Sequence, residues 1–204
     1  MAHLNQDTKE LHLRILYVGA PGAGKTTNLQ SIYKQTSTEL STRLFDLHDV
    51  SQKNRYFDFL PLAYGQKRAL ALRLHLFTLP SHDSWPTVLH NLMLGVDGIV
   101  FVVDSRLSRI HENETHLNRL RDLLRQTNRS FQDIPLLFQF NHRDAPDATP
   151  LKALRKQFSR QAADDLEAVA AHDKGVLETI DMLANRILDT MDTPHPLAQS
   201  HAFS

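Results

Sequence analysis

Eight consecutive residues, Gly19-Ala20-Pro21-Gly22-Ala23-Gly24-Lys25-Thr26, satisfy the spacing G-x-x-x-x-G-K-[ST]. Glycines at these positions let a backbone turn its N–H groups inward around phosphate oxygens. A helix opening near Lys25 adds its positive end, and the ammonium reaches the outer phosphates. The hydroxyl of Thr26 is placed to bind Mg²⁺, with Thr27 beside it in the same turn. A second cluster, Asn141-His142-Arg143-Asp144, follows an apolar run and so falls at the same sheet edge as the loop. A carboxylate at Asp144 can accept two N–H bonds from guanine, a donor pair that adenine lacks, and Asn141 can bond both the base and the phosphate loop. His142 stands where N-K-x-D has lysine, and an imidazole can still stack on a purine. Asp104, after the run GIVFVV, is the acid that an ATP-using P-loop enzyme would need, a rival that leaves Asn141 and Asp144 unexplained.

Positioning these groups takes strands that end at one edge. The apolar run 11–18 predicts a strand into the loop, and Leu29, Ile32 and Tyr33 predict a helix out of it. Residues 56–62 and 69–79 read as an antiparallel hairpin turning at 63–67, after a polar stretch at 35–54. Strands follow at 98–104, 134–140 and 166–170, and helices at 87–94, 110–126, from Thr149-Pro150 onward, and at 174–191. The class is α/β with three layers and six strands, mostly parallel with one antiparallel hairpin strand. The expected organisation is an extension at 1–10, one domain at 11–191 and a mobile tail at 192–204.

Composition narrows the partners. The chain of 204 residues carries 23 Lys plus Arg against 23 Asp plus Glu, so no broad positive field exists for nucleic acid. Arg119, Arg121, Arg125 and Arg129 read as the solvated side of an amphipathic helix. Cysteine is absent, which excludes disulfides and prenylation and fits a reducing cytoplasm. The first residues lack a signal-peptide pattern, and no apolar run is long enough for direct membrane insertion. The 12 histidines are scattered without metal-ligand spacing.

Several stretches together resemble the bacterial MglA-type small Ras-like GTPases of gliding and twitching motility: residues 24–33 (GKTTNLQSIY), 57–62 (FDFLPL), 73–80 (RLHLFTLP) and 95–105 (GVDGIVFVVDS). Asn141 to Asp144 and the segment Glu167-Ala168-Val169-Ala170 complete the pattern, with Val169 and Ala170 in the loop that backs the base. The resemblance implies a Ras-like fold and a GTP/GDP switch with Mg²⁺. Two loops sense the γ-phosphate, one strand shifts register, and a roadblock-fold regulator of the MglB type speeds hydrolysis. Such proteins act at cell poles on motility or type IV pilus machinery.

Two segments depart from the family. The second switch, T-x-P-G-Q in the family, reads Thr78-Leu79-Pro80-Ser81-His82 here, so Ser81 stands for the glycine that senses the γ-phosphate and His82 for the glutamine that orients water. In the first switch, Lys53 stands where the family tends to carry an arginine and Asn54 where it has a threonine, with Arg55 two residues on as a substitute finger. The resemblance therefore assigns Mg²⁺ to Thr26, Asn54 and Thr78, nucleotide contacts to Pro80 and Ser81, and chemistry to His82, Arg55 and Lys53. Slow hydrolysis is expected. The alternative is a catalytically inactive scaffold of the same fold.

Overall fold

The computed structural model describes residues 3–36, 45–49, 54–79, 86–158 and 164–192, and it is an eight-stranded sheet between two helical layers. The strands are β1 (His3–Asn5), β2 (Glu10–Gly19), β3 (Phe45–Asp49), β4 (Asn54–Lys67), β5 (Leu70–Thr78), β6 (Gly98–Asp104), β7 (Leu136–Asn141) and β8 (Asp164–Glu167). Their order is β3-β4-β5-β2-β6-β7-β8, with β1 antiparallel on β2. The steps β5-β2-β6-β7-β8 are all parallel, and β4 is antiparallel to both of its neighbours.

Burial explains the central strands. Every residue of β6 and β7 is buried, as a parallel strand covered on both faces requires. On one face Leu13, Ile15, Val100 and Val102 pack under α1 (Lys25–Thr36) and α5 (Val176–Asp192). On the other, Phe101, Val103, Phe138 and Phe140 meet α3 (Ile110–Gln126), through Leu117, Leu120 and Leu124, and α4 (Leu151–Phe158). The remaining helix, α2 (Pro86–Gly95), adds Met93 to that second layer. Each of these apolar side chains contributes about 1.5–3 kcal/mol by leaving water, which makes the β6–β7 region the anchor of the domain.

The class matches the sequence pattern, and three details differ. First, the sheet has two strands beyond the six expected: β1 lies within the amino-terminal extension and β3 within a stretch whose polarity hides it. Second, the hairpin turns at Arg68 and Ala69 rather than at 63–67. Both have left-handed φ, 52° and 62°, as a two-residue type I′ turn demands. Gly65, φ +80°, instead serves a bulge between Ala63 and Gln66. Third, Arg129 is not on the solvated side of α3. It lies beyond the helix, and its Nη1 donates to the carbonyls of Met93 (3.0 Å) and Val96 (3.1 Å), satisfying carbonyls left open where α2 ends.

Candidate functional site

The phosphate loop is the link from β2 to α1. Its first glycine, Gly19 (φ +152°), has no room for a side chain, because a Cβ would sit 2.3 Å from the Val102 carbonyl oxygen of β6. Gly24 (φ +101°) is closed in the same way by Asn141, whose Nδ2 would lie 2.2 Å from a Cβ. Gly22 (φ +73°) lies in the same left-handed region. Lys25 Nζ donates to the carbonyls of Gly19 and Ala20, both at 2.9 Å. Burial pulls the Lys25 pKa down to about 8, while Asp58 and Glu112 oppose the shift.

Beneath the loop lies a buried polar network that the sequence pattern does not reveal. Asn28 Nδ2 donates to the Gly24 carbonyl, and Gln139 Nε2 donates to Asn28 Oδ1 and Thr179 Oγ1, each at 2.9 Å. It joins α1, β7 and α5 under the turn. Arg109 braces the loop from the other side, its Nη2 donating to the Pro21 carbonyl while Nη1 pairs with Glu112.

The acid beside the loop comes from an unexpected strand. Thr26 Oγ1 donates to Asp58 Oδ2 at 2.6 Å, and Thr78 Oγ1 donates to the same oxygen at 3.1 Å. The Asp58 backbone N–H closes the group by donating to Thr78 Oγ1 at 2.9 Å. Asp58 is 2% exposed, so β4 delivers a carboxylate, and β5 a hydroxyl, into the base of the site. Hard oxygen donors with one carboxylate suit Mg²⁺ that also binds phosphate oxygens and water. Asp104 has a different task. Its fully buried carboxylate is held by Arg106 at 2.9 and 2.5 Å, with Arg109 Nε 3.5 Å away. Burial would raise its pKa, but the hydrogen bonds from Arg106, helped by the charge of His142, hold it below the ordinary carboxylate value.

The loop that follows β7 is tied to the phosphate loop by two side chains. Asn141, 1% exposed, donates from Nδ2 to the Ala23 carbonyl at 2.8 Å and accepts from the Ala170 N–H at 3.0 Å. It therefore spans residues 19–26 and 168–170. His142, φ 59°, puts its Nε2 3.1 Å from the Gly22 carbonyl oxygen, so its Nε2–H donates across the same gap. Asp144 is open to solvent with His172 3.8 Å from it, and Val169 bridges to Lys174 where the backing loop turns.

Thus Gly19, Gly22, Ala23, Gly24, Lys25 and Thr26 converge with Asn141, His142 and Ala170, and Thr78 joins Thr26. Thr27 is the third residue of α1. Asn54 and Arg55 are described as backbone positions in β4, paired with Asp49 and His48. Lys53, Pro80, Ser81 and His82 lie outside the described residues. Asp58 was absent from the sequence-based set. The signal was available, a lone acid in the apolar alternation FDFLPL, where an outward-facing carboxylate and a site carboxylate look alike.

The chain matches the model of the ADP-ribosylation factor family over residues 1–192. It is also 35% identical over 188 residues to the mutual gliding-motility protein MglA of Myxococcus xanthus (strain DK1622), covering 92% of this chain and 96% of that protein.

Proposed function

Because this chain belongs to the ADP-ribosylation factor family, as a small GTPase of the MglA type, we propose that it is a guanine-nucleotide switch that hydrolyses GTP slowly and acts through partner proteins on polarity, motility or pilus machinery. Members of this family bind GTP and GDP with Mg²⁺. Among the described residues no helix is long and apolar enough to cross a membrane. We place the protein in the cytoplasm, recruited to a cell pole by its partners. A roadblock-fold regulator of the MglB type is the expected accelerator.

The observation that carries this reading is the pair of hydrogen bonds at Asn141, one donated to the Ala23 carbonyl of the loop and one accepted from the Ala170 N–H of the backing segment. It aligns a carboxylate loop for the base with an N–H cradle for the phosphates. Asp144 accepts the two donors of guanine, and Ala170 with Val169 backs the ring. Lys25 moves its ammonium from the loop carbonyls to the outer phosphates. Thr26, Asp58 and Thr78 hold Mg²⁺, with Asn54 contributing from the first switch. When bound, Mg²⁺ neutralises the charge that builds between the outer phosphates.

For hydrolysis, His82 orients the attacking water and Arg55, with Lys53, faces the transferring phosphoryl group. Pro80 and Ser81 present the backbone that senses it. A serine at the sensing position restricts the backbone flip that glycine allows, and an imidazole is shorter than a glutamine side chain. Both changes slow the reaction and leave binding intact.

Mass spectrometry of nucleotide released from protein purified under native conditions tests the binding claim, and GDP or GTP is the expected species. Adenine nucleotide, or none together with no heat on titrating GTP and Mg²⁺, would overturn it. Single-turnover hydrolysis tests the rate: turnover as fast as that of a regulator-stimulated Ras-type protein refutes slow catalysis, and no turnover at all leaves an inactive scaffold.

A further inference from the structure

The sheet face opposite α1 and α5 is covered unevenly. Over β6 and β7 it is sealed, but over the first half of β2 and the facing part of β5 it carries His12, Arg14 and His75, partly open to solvent. A cleft of about 660 Å³ forms there, with Leu16 and Phe77 of the sheet and Leu92 of α2 as apolar walls. That volume lies within the range of small-molecule sites, and apolar walls with a few convergent polar groups are their usual lining.

Among the residues that line it, Arg14 carries the one fixed charge. Arg14 is exposed, and its guanidinium makes no hydrogen bond or ion pair with the described residues. Room for it comes from Gly95, where a Cβ would meet Arg14 Nη1 at 2.3 Å. The two imidazoles stand against each other, His12 Nδ1 to His75 Nε2 at 3.0 Å, and the His75 ring stacks on Phe59. Nearby carboxylates are already engaged. Glu10 takes Arg73 through Nε (2.9 Å) and Nη2 (2.6 Å), and Asp97 Oδ2 accepts the Arg14 backbone N–H at 2.8 Å. Among the described residues no carboxylate lines the cleft.

We propose that this cleft is a second binding site, separate from the nucleotide site, for a small amphiphilic carboxylate. The ligand's carboxylate pairs with the planar fork of Arg14, a geometry that favours two parallel bonds, and its apolar body lies on Leu16, Phe77 and Leu92. The site is placed to matter, because Phe77 faces the cleft while the next residue, Thr78, faces Asp58 on the opposite side of β5.

The test is calorimetric titration of the full chain, loaded with GDP, with 4-phenylbutyrate and with its neutral analogue 4-phenylbutanol. One phenylbutyrate per chain is expected, with the alcohol at least tenfold weaker. Arg14→Gln, checked for an unchanged melting temperature, weakens phenylbutyrate at least tenfold and leaves GDP affinity as it was. Absence of saturable binding, equal affinity for acid and alcohol, or an Arg14→Gln variant that binds like the parent would each overturn the proposal. The comparison of acid with alcohol uses the unaltered chain, so it decides the matter even if the variant misfolds.

Discussion

The two halves of the sheet on either side of β2 are built on different plans. Toward β6 and β7 the strands are parallel and buried on both faces. On the other side β5 is still parallel to β2, but β4 runs antiparallel to it, and β5 alternates buried with half-buried residues along its length. The buried half ends in Asn141 and walls the phosphate loop through Val102, so it grips the nucleotide with groups that have no freedom to leave. The half-open side supplies Asp58 and Thr78, the oxygen groups proposed above for the metal. A rigid half that holds and a thinner half that senses is a division of labour that a switch needs, since binding must persist while the third phosphate changes.

The contrast is broken most severely by Asn141→Ala. It removes two buried bonds and leaves the Ala23 carbonyl and the Ala170 N–H without their partner, a loss of roughly 2–4 kcal/mol, or about 30- to 1,000-fold in GDP affinity. Fluorescent-GDP titration measures it, and a loss under about threefold would mean that the grip does not run through this side chain. Asp58→Asn tests the sensing half. It is expected to weaken Mg²⁺-supported GTP binding about 10- to 100-fold, the usual cost of disturbing a metal's supporting carboxylate, and to leave binding in chelator unchanged. Equal losses with and without Mg²⁺ would move Asp58 from metal support to folding.

The smallest effect is a proton. In the nucleotide-free fold, burial lowers Lys25 from 10.5 to about 8, so the folded state disfavours the charged form relative to the unfolded chain. The stability this group contributes is full above the unfolded value and is lost as pH falls from there through about 8. Phosphates return the ammonium to its charged state. GDP binding at about pH 9 should therefore take up close to one proton per chain and at about pH 6.5 almost none. Calorimetry in buffers of different ionisation enthalpy reads this directly, and Lys25→Met should abolish the difference.

Legibility in the sequence followed the same division. In the buried half, GIVFVVD and LLFQFN read as central strands because burial on both faces leaves continuous apolar runs, and Asn141 falls at a strand end where a ligand group belongs. On the side of β5 and β4, where β4 turns the sheet antiparallel, the signals mislead. Gly65 attracts a turn assignment yet occupies a bulge, while the true turn, Arg68-Ala69, has neither glycine nor asparagine to mark its positive φ. The strand β3, FDLHD, lacks apolar periodicity, and its pairing with β4 is a contact between distant segments that no local pattern encodes. Asp58 is hidden for a related reason, since only the fold brings β4 alongside Thr26. Asp104 itself is consumed by Arg106 and Arg109, a pairing that no count of charges foretells.

Asn141 has one more consequence, for how the site opens. A single side chain anchored in both loops makes them move together rather than one at a time. Opening of the site is then a single event at the end of β7, where Asn141 stands.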